Sequence, residues 1–477
     1  MIVARHFAVA ALLVALLQIA ACAGQGVAEK PRPVTVDRHV HGVHLASLAA
    51  LSVETLRGRT YGSRLDIEAH FDLIGRDTYL AAFTSDRLRE YARIDIPVTP
   101  MPADGFPIVV FLHGWVGINA APALDFYATP GSDYDSIIKA FAAAGFVVIT
   151  PGFRGHGTVN GISADGIEYL SVWDNGSYVM PAFYAIDVLN LLDGLASLES
   201  VDWSHWSRPA AGPLRLNLHR VNVLGHSQGG DVALIVLAVA SAGSHVHTPV
   251  AAGSIWSGCF PARLTQLMTY GPIETTPEAF LAGDGTWNGT ATGANGAVNH
   301  NFVLGYPPDW IESPDPQYWT WQRKSWSTRS VADALHRKLG EMYGTLNSNV
   351  DDIHNATYQL KTRPGVKLQI THDPQVVRAL EYVGAFDRER FLTMPLSLHH
   401  SDRDFYSLPQ WNSDLCARIT LAGGACNDFI YPGTTHTLRL SKHEWFSGGA
   451  KREGFALAIR RDIELFRGES PRLSEDR

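Results

Sequence analysis

Ser227 is the residue whose type and setting could do covalent chemistry. It lies in Gly225-His226-Ser227-Gln228-Gly229-Gly230, after the β-branched apolar run Val221-Asn222-Val223-Leu224 and ahead of an apolar helical run opening at Asp231. Strand, sharp turn and helix in that order put a serine on a strained turn with its hydroxyl projecting above a sheet edge. Gly225 and Gly229 bring no side-chain bulk to the point where the chain reverses. A free serine hydroxyl is a weak nucleophile and needs a base, itself oriented by an acid. The amide of Gln228, at the start of the helix, is a ready donor to an oxyanion.

This stretch resembles the nucleophile elbow of the α/β-hydrolase superfamily, in its serine esterase/lipase or prolyl-oligopeptidase-like branch. The resemblance extends, apart from an insertion, from about Leu80 to Phe466, and implies roles for further residues in the order Ser, acid, His. Phe106-Pro-Ile-Val-Val-Phe-Leu112 ends in His113-Gly114-Trp115, and the resemblance makes the Trp115 amide the second oxyanion donor. His399-His400-Ser401-Asp402-Arg403-Asp404 stands where the family carries its acid. Asp404 fits best, with Pro409 downstream, while Ser401 replaces the usual Gly and keeps Asp402 as the alternative acid. Tyr431-Pro432-Gly433-Thr434-Thr435-His436 is similar to the loop presenting the catalytic histidine, which makes His436 the base. His156, in Pro151-Gly-Phe-Arg-Gly-His156-Gly157, precedes the elbow and is therefore read as loop structure.

The implied chemistry is attack by Ser227 Oγ on a carbonyl, with His436 taking the proton and Asp404 fixing the imidazole. It needs no cofactor and no metal.

These residues must be positioned by a sheet. Apolar runs at 106–112, 146–150, 221–224, 250–256, 391–398 and 427–431 alternate with helical patterns at 134–145, 180–198, 231–240, 411–421 and 454–466. Such alternation implies right-handed crossovers and a mostly parallel central sheet with helices on both faces. A hairpin over 80–97, turning near Ser85-Asp86, precedes it, and its second strand alternates as an edge strand with one wet face should. Between the nucleophile half (80–258) and the acid/His half (391–467) the alternation breaks. Residues 259–390 are rich in Gly, Pro, Asn and aromatics, with helical stretches near 331–342 and 374–385, and the resemblance makes this an inserted cap or lid. Tyr306, Trp310, Tyr318, Trp319, Trp321 and Trp326 either line an apolar pocket or form the cap's own core.

With 46% hydrophobic residues in 477, the chain can bury a large core. A net charge of −8 with no basic runs excludes a nucleic-acid footprint. Phe7 to Ala21 carries no charge and is short for a bilayer span, as in a signal peptide spanning residues 1–22. Ile19-Ala20-Ala21-Cys22 resembles a bacterial lipobox, which would lipidate Cys22. The expected location is then the periplasm or the outer membrane as a lipoprotein, or secretion, with membrane contact only through that anchor. Residues 23–79 read as a lead-in and 468–477 as a polar tail. An oxidising compartment makes Cys416 and Cys426 a disulfide candidate, joining a helix that stops at Gly-Gly to the next strand. Cys259 is left as a buried thiol. His39, His41 and His44 lack an accompanying carboxylate or Cys pattern and read as surface or partly buried residues.

Prolyl-oligopeptidase-like enzymes usually carry a propeller, visible as repeats, and a Glu pair for a peptide amino end; neither is recognisable here. The expectation is therefore a carboxylic-ester hydrolase acting on a small-molecule or polymeric ester. An exported serine peptidase is the alternative. A non-catalytic surface binding protein is a third reading, against which the intact Ser, acid, His and His-Gly set weighs.

Overall fold

The computed structural model describes residues 43–127, 129–206, 214–258, 264, 328–363, 366–401, 407, 409–432, 436–439 and 454–469. The leader and Cys22, Cys259, the aromatic cluster of 306–326 and both candidate acids lie outside them.

Among the described residues, nine strands form one sheet: β1 (Asp66–Leu73), β2 (Arg76–Ser85), β3 (Leu88–Pro97), β4 (Phe106–Leu112), β5 (Val147–Pro151), β6 (Leu216–His226), β7 (Val250–Trp256), β8 (Leu396–Ser401) and β9 (Cys426–Tyr431). They lie in the order β1-β2-β3-β5-β4-β6-β7-β8-β9. The pairs from β5 through β9 are parallel, and β1, β2 and β3 join antiparallel at one end.

The parallel strands are continuous apolar runs because both faces are covered. Along β4, Ile108, Val110 and Leu112 enter one core while Val109 and Phe111 enter the other. That alternation is the period of two expected of a pleated strand. The first core holds α2 (Met180–Gly194) and α3 (Gln228–Val239). The second holds α1 (Asp133–Ala143) and the C-terminal helix α6 (Gly454–Phe466). Every residue of α3 is buried, so it carries no polar stripe. Helix α1 opens on Ser132, whose hydroxyl accepts from the Asp135 amide at 3.0 Å, with Asp133 and Asp135 in the first turn.

Three expectations are corrected. The strand β3 is not an edge strand: it lies between β2 and β5 and is buried from Glu90 to Pro97. Its charged alternation is inward, with Arg93 and Asp95 ion-paired to each other and to Arg76 and Asp135. The sheet begins at Asp66, ahead of the expected boundary at Leu80, so the lead-in supplies the edge strand β1 and the start of β2. Strand β8 starts at Leu396, because Glu389–Phe391 is a 3-10 turn.

The described part of the insertion does not stand apart from the main core. Helix α4 (Thr328–Asn349) buries Leu339, Met342, Tyr343 and Leu346 in the same core as α2 and α3. Its Thr345 hydroxyl accepts from the Asn175 side chain at 2.8 Å, and its last carbonyl, of Asn349, accepts from the Leu45 amide at 2.9 Å. Arg388 and Arg390 both reach Glu54. Among the described residues no helix is long and apolar enough to cross a membrane.

A disulfide joins Cys416, in α5 (Pro409–Leu421), to Cys426, the first residue of β9. His44 is exposed and pairs with Asp351 at 2.5 Å.

Candidate functional site

Ser227 stands between the end of β6 and the start of α3 with φ 56° and ψ −125°, a left-handed backbone that a non-glycine residue adopts only when its surroundings impose it. The surroundings are the neighbouring strands. The Ser227 amide donates to the Trp256 carbonyl at the end of β7 at 2.9 Å, and the Gly230 amide donates back to the Ser227 carbonyl at 2.8 Å. The turn is so tight that a Cβ on Gly225 would run into the Gly229 backbone, and one on Gly229 into the carbonyls of Leu112 and His113. The two motif glycines therefore allow helix α3 to begin directly over the end of β4. Gln228 is the first residue of that helix and is buried; its amide has no acceptor within the helix.

The end of β4 brings His113-Gly114-Trp115 against the serine. A Cβ on Gly114 would lie 2.6 Å from Tyr134 Oη and 3.2 Å from Ser227 Cβ, so Gly114 fills the gap between the elbow and Tyr134. His113 is buried, with Nδ1 2.8 Å from the Gly114 carbonyl and Nε2 3.2 Å from the Gly152 carbonyl. Burial pulls its pKa down to about 3, with His156 nearby acting in the same direction, so the ring is neutral. His156 is also buried; its Nδ1 lies 2.9 Å from the Arg154 carbonyl and burial lowers it to about 4. A ring held neutral by burial and bonded into its own loop braces the turn that follows β5. The Trp115 ring is 59% exposed and is held in place by its Nε1–H, which donates to the Asp174 carboxylate at 2.9 and 3.1 Å.

His436 follows β9 and comes to the elbow. Its ring centroid is 4.8 Å from that of His226, the residue before Ser227. Its carbonyl accepts from Ser257 Oγ at 2.9 Å and from His226 Nε2 at 3.1 Å. A carbonyl only accepts, so Nε2 of His226 carries the proton; in the neutral ring Nδ1 then accepts from the Tyr134 hydroxyl, 2.6 Å away. Tyr134 Oη in turn accepts from the Gly114 amide at 3.0 Å. Burial is the main influence on the Tyr134 phenol and pushes its pKa up, so it stays a donor.

Ser227, Gly114, Trp115, Gln228 and His436 are thus gathered at the carboxyl ends of β4, β6 and β9. Asp402 and Asp404 follow β8, which ends at Ser401 beside Tyr431 in β9. Sequence reasoning missed Tyr134 and His226. His226 was visible only as the variable position of Gly-x-Ser-x-Gly, and nothing in the sequence ties Tyr134, at the start of α1, to the elbow. Among the described residues no cluster of three or more His, Cys, Asp or Glu is placed to hold a metal ion.

A mostly parallel sheet flanked by helices on both faces, with a serine on a strained strand-to-helix turn at the end of a central strand, decides the architecture. The chain has the α/β-hydrolase fold. No family model and no curated protein matches the sequence. Solved structures with this fold include the acetyl xylan esterase from Paenibacillus sp. R4, 14% identical with a TM-score of 0.43, over 87% of this chain and 92% of that one. Est1E from Butyrivibrio proteoclasticus is 12% identical with a TM-score of 0.36, over 82% of this chain and 98% of that one. Porphyromonas gingivalis dipeptidyl peptidase 4 is 13% identical with a TM-score of 0.43, over 86% of this chain but only 36% of its own length. Likenesses this distant assign no substrate to the chain.

Proposed function

We propose that the protein is a serine hydrolase that cleaves carboxylic esters through an acyl-enzyme. Ser227 Oγ attacks the ester carbonyl as its proton passes to His436, and Asp404 orients the imidazole and stabilises its charged form. The amides of Trp115 and Gln228 donate to the oxyanion of the tetrahedral intermediate. His436 returns the proton to the departing alkoxide, which leaves as an alcohol. Water then attacks the acyl-serine with His436 again as base, releasing the acid and restoring Ser227.

The observation that carries this reading is the strained backbone of Ser227, packed against Gly114 and directly following His226, which bonds the His436 carbonyl. A backbone conformation unfavourable to serine, on glycines that admit no Cβ, is an arrangement with no packing advantage of its own. Removing one oxyanion donor typically costs about 10²–10³ in turnover, so the two amides are a large part of the proposed rate enhancement.

The test is turnover of matched p-nitrophenyl acyl esters and aminoacyl p-nitroanilides, with Ser227→Ala as the blank. Ester cleavage that vanishes in the variant, with anilides untouched, is the expected result. Efficient Ser227-dependent anilide cleavage would make the protein a peptidase instead.

A further inference from the structure

We propose that Tyr134 and His226 are positioning residues, forming a partly buried chain Gly114–Tyr134–His226–His436 that holds the oxyanion-side turn and the histidine loop in register with Ser227. The inference rests on the ester-hydrolase reading and assigns work to two side chains that take no part in its chemical steps.

Each link is directional. The Gly114 amide donates to Tyr134 Oη at 3.0 Å, Tyr134 donates to His226 Nδ1 at 2.6 Å, and His226 Nε2–H donates to the His436 carbonyl at 3.1 Å. The partners are 20, 92 and 210 residues apart in sequence, so the chain joins segments that no local structure connects. One end pins the backbone immediately before the Trp115 amide, the other the backbone of the base itself. His226 precedes Ser227 directly, which makes the elbow the common reference for both.

The middle of the chain is rigid for a separate reason. The Tyr134 ring packs edge-on to Tyr127 at 4.5 Å and to Phe111 at 5.2 Å. The next residue, Asp135, is ion-paired to Arg76, while Arg93 donates to the Phe126 and Tyr127 carbonyls. The ring has little freedom to tilt, so its hydroxyl acts as a fixed point. A Phe would fill the same space, and all that would be lost is the link between Gly114 and His226. That separates positioning from packing: a tyrosine needed only to fill the core would lose its value gradually with volume, not with one oxygen atom.

The experiment measures kcat and KM of the full chain on a p-nitrophenyl ester for Tyr134→Phe, His226→Gln and the double variant, beside their thermal midpoints. Gln can still donate to the His436 carbonyl but loses the bond to Tyr134, so both single changes break the Tyr134–His226 bond, and Tyr134→Phe also removes the acceptor of the Gly114 amide. The expected result is a drop in kcat of about 10- to 100-fold with KM within about threefold, as for a small misplacement of reacting groups. The double variant should be no slower than the slower single one, because the bond between the two side chains can be broken only once. Single variants within about twofold of the parent kcat, or effects that multiply in the double variant, would overturn the proposal. Should Tyr134→Phe not fold, His226→Gln decides alone by the same limits. A parent protein without Ser227-dependent turnover refutes the hydrolase reading and this inference with it, whereas an active parent with indifferent variants refutes the inference only.

Discussion

Replacing His156 by Asn should remove one proton from the pH dependence of stability. His156 is buried and held at about 4, against an ordinary value of 6.5. A base whose folded pKa is lowered stays neutral in the folded protein while the unfolded chain binds a proton. Its contribution is therefore full above about pH 6.5 and is lost as pH falls toward about 4. At about 1.36 kcal/mol per unit, the difference of 2.5 units amounts to about 3.4 kcal/mol once both states are protonated. Between about pH 7 and pH 5 the linkage relation gives a loss of about 2 kcal/mol from this group alone. Asn can place an amide near Nδ1 and keep the bond to the Arg154 carbonyl, so any packing cost is the same at both pH values and cancels. The assay is urea unfolding of parent and variant at the two pH values, reading the change in their difference. The parent should lose about 2 kcal/mol more than the variant on acidification. Equal losses, or a folded-state His156 midpoint near 6.5, would mean that the ring is charged and accessible, and would return it to contention as a base.

Glu90→Gln should act in the opposite sense. Burial, and then the Asp187 carboxylate beside it, hold the Glu90 carboxyl well above its ordinary 4.5. A raised acid stabilises the fold below its ordinary value and loses that contribution as pH rises, so the variant should gain on the parent by up to about 1.4 kcal/mol per pH unit above about 4.5. Thermal midpoints that keep a constant difference across that range would contradict this. Replacing Cys416 and Cys426 by Ser opens a bridge with a sequence separation of 10 residues. The chain-entropy relation makes this a loss of about 2–3 kcal/mol in urea unfolding, and no change in the midpoint would show that the unfolded chain is not constrained there.

Much of the fold was legible in the sequence for a simple reason. Strands covered on both faces read as unbroken apolar runs, and β4 and β7 were found within a residue of their ends. The elbow was legible because its glycines leave no room for side chains. Strand β3 misled because its charged residues look solvated in sequence; Arg76 and Asp135, distant in the chain, pair with them inside the protein. Edge strand β1 was missed because Asp66, Glu68, His70 and Asp72 give it a mixed pattern with little apolar signal. Tyr134 was missed for the same reason as Arg76: its hydroxyl acquires meaning only from partners that folding brings to it.

The central claim is that Ser227 is the nucleophile, and labelling by a fluorophosphonate tests it most directly. The phosphonate should form one covalent adduct, mapped by mass spectrometry to the peptide holding Ser227, and Ser227→Ala should abolish it. An unlabelled parent protein, or an adduct that persists in the variant, would contradict the account.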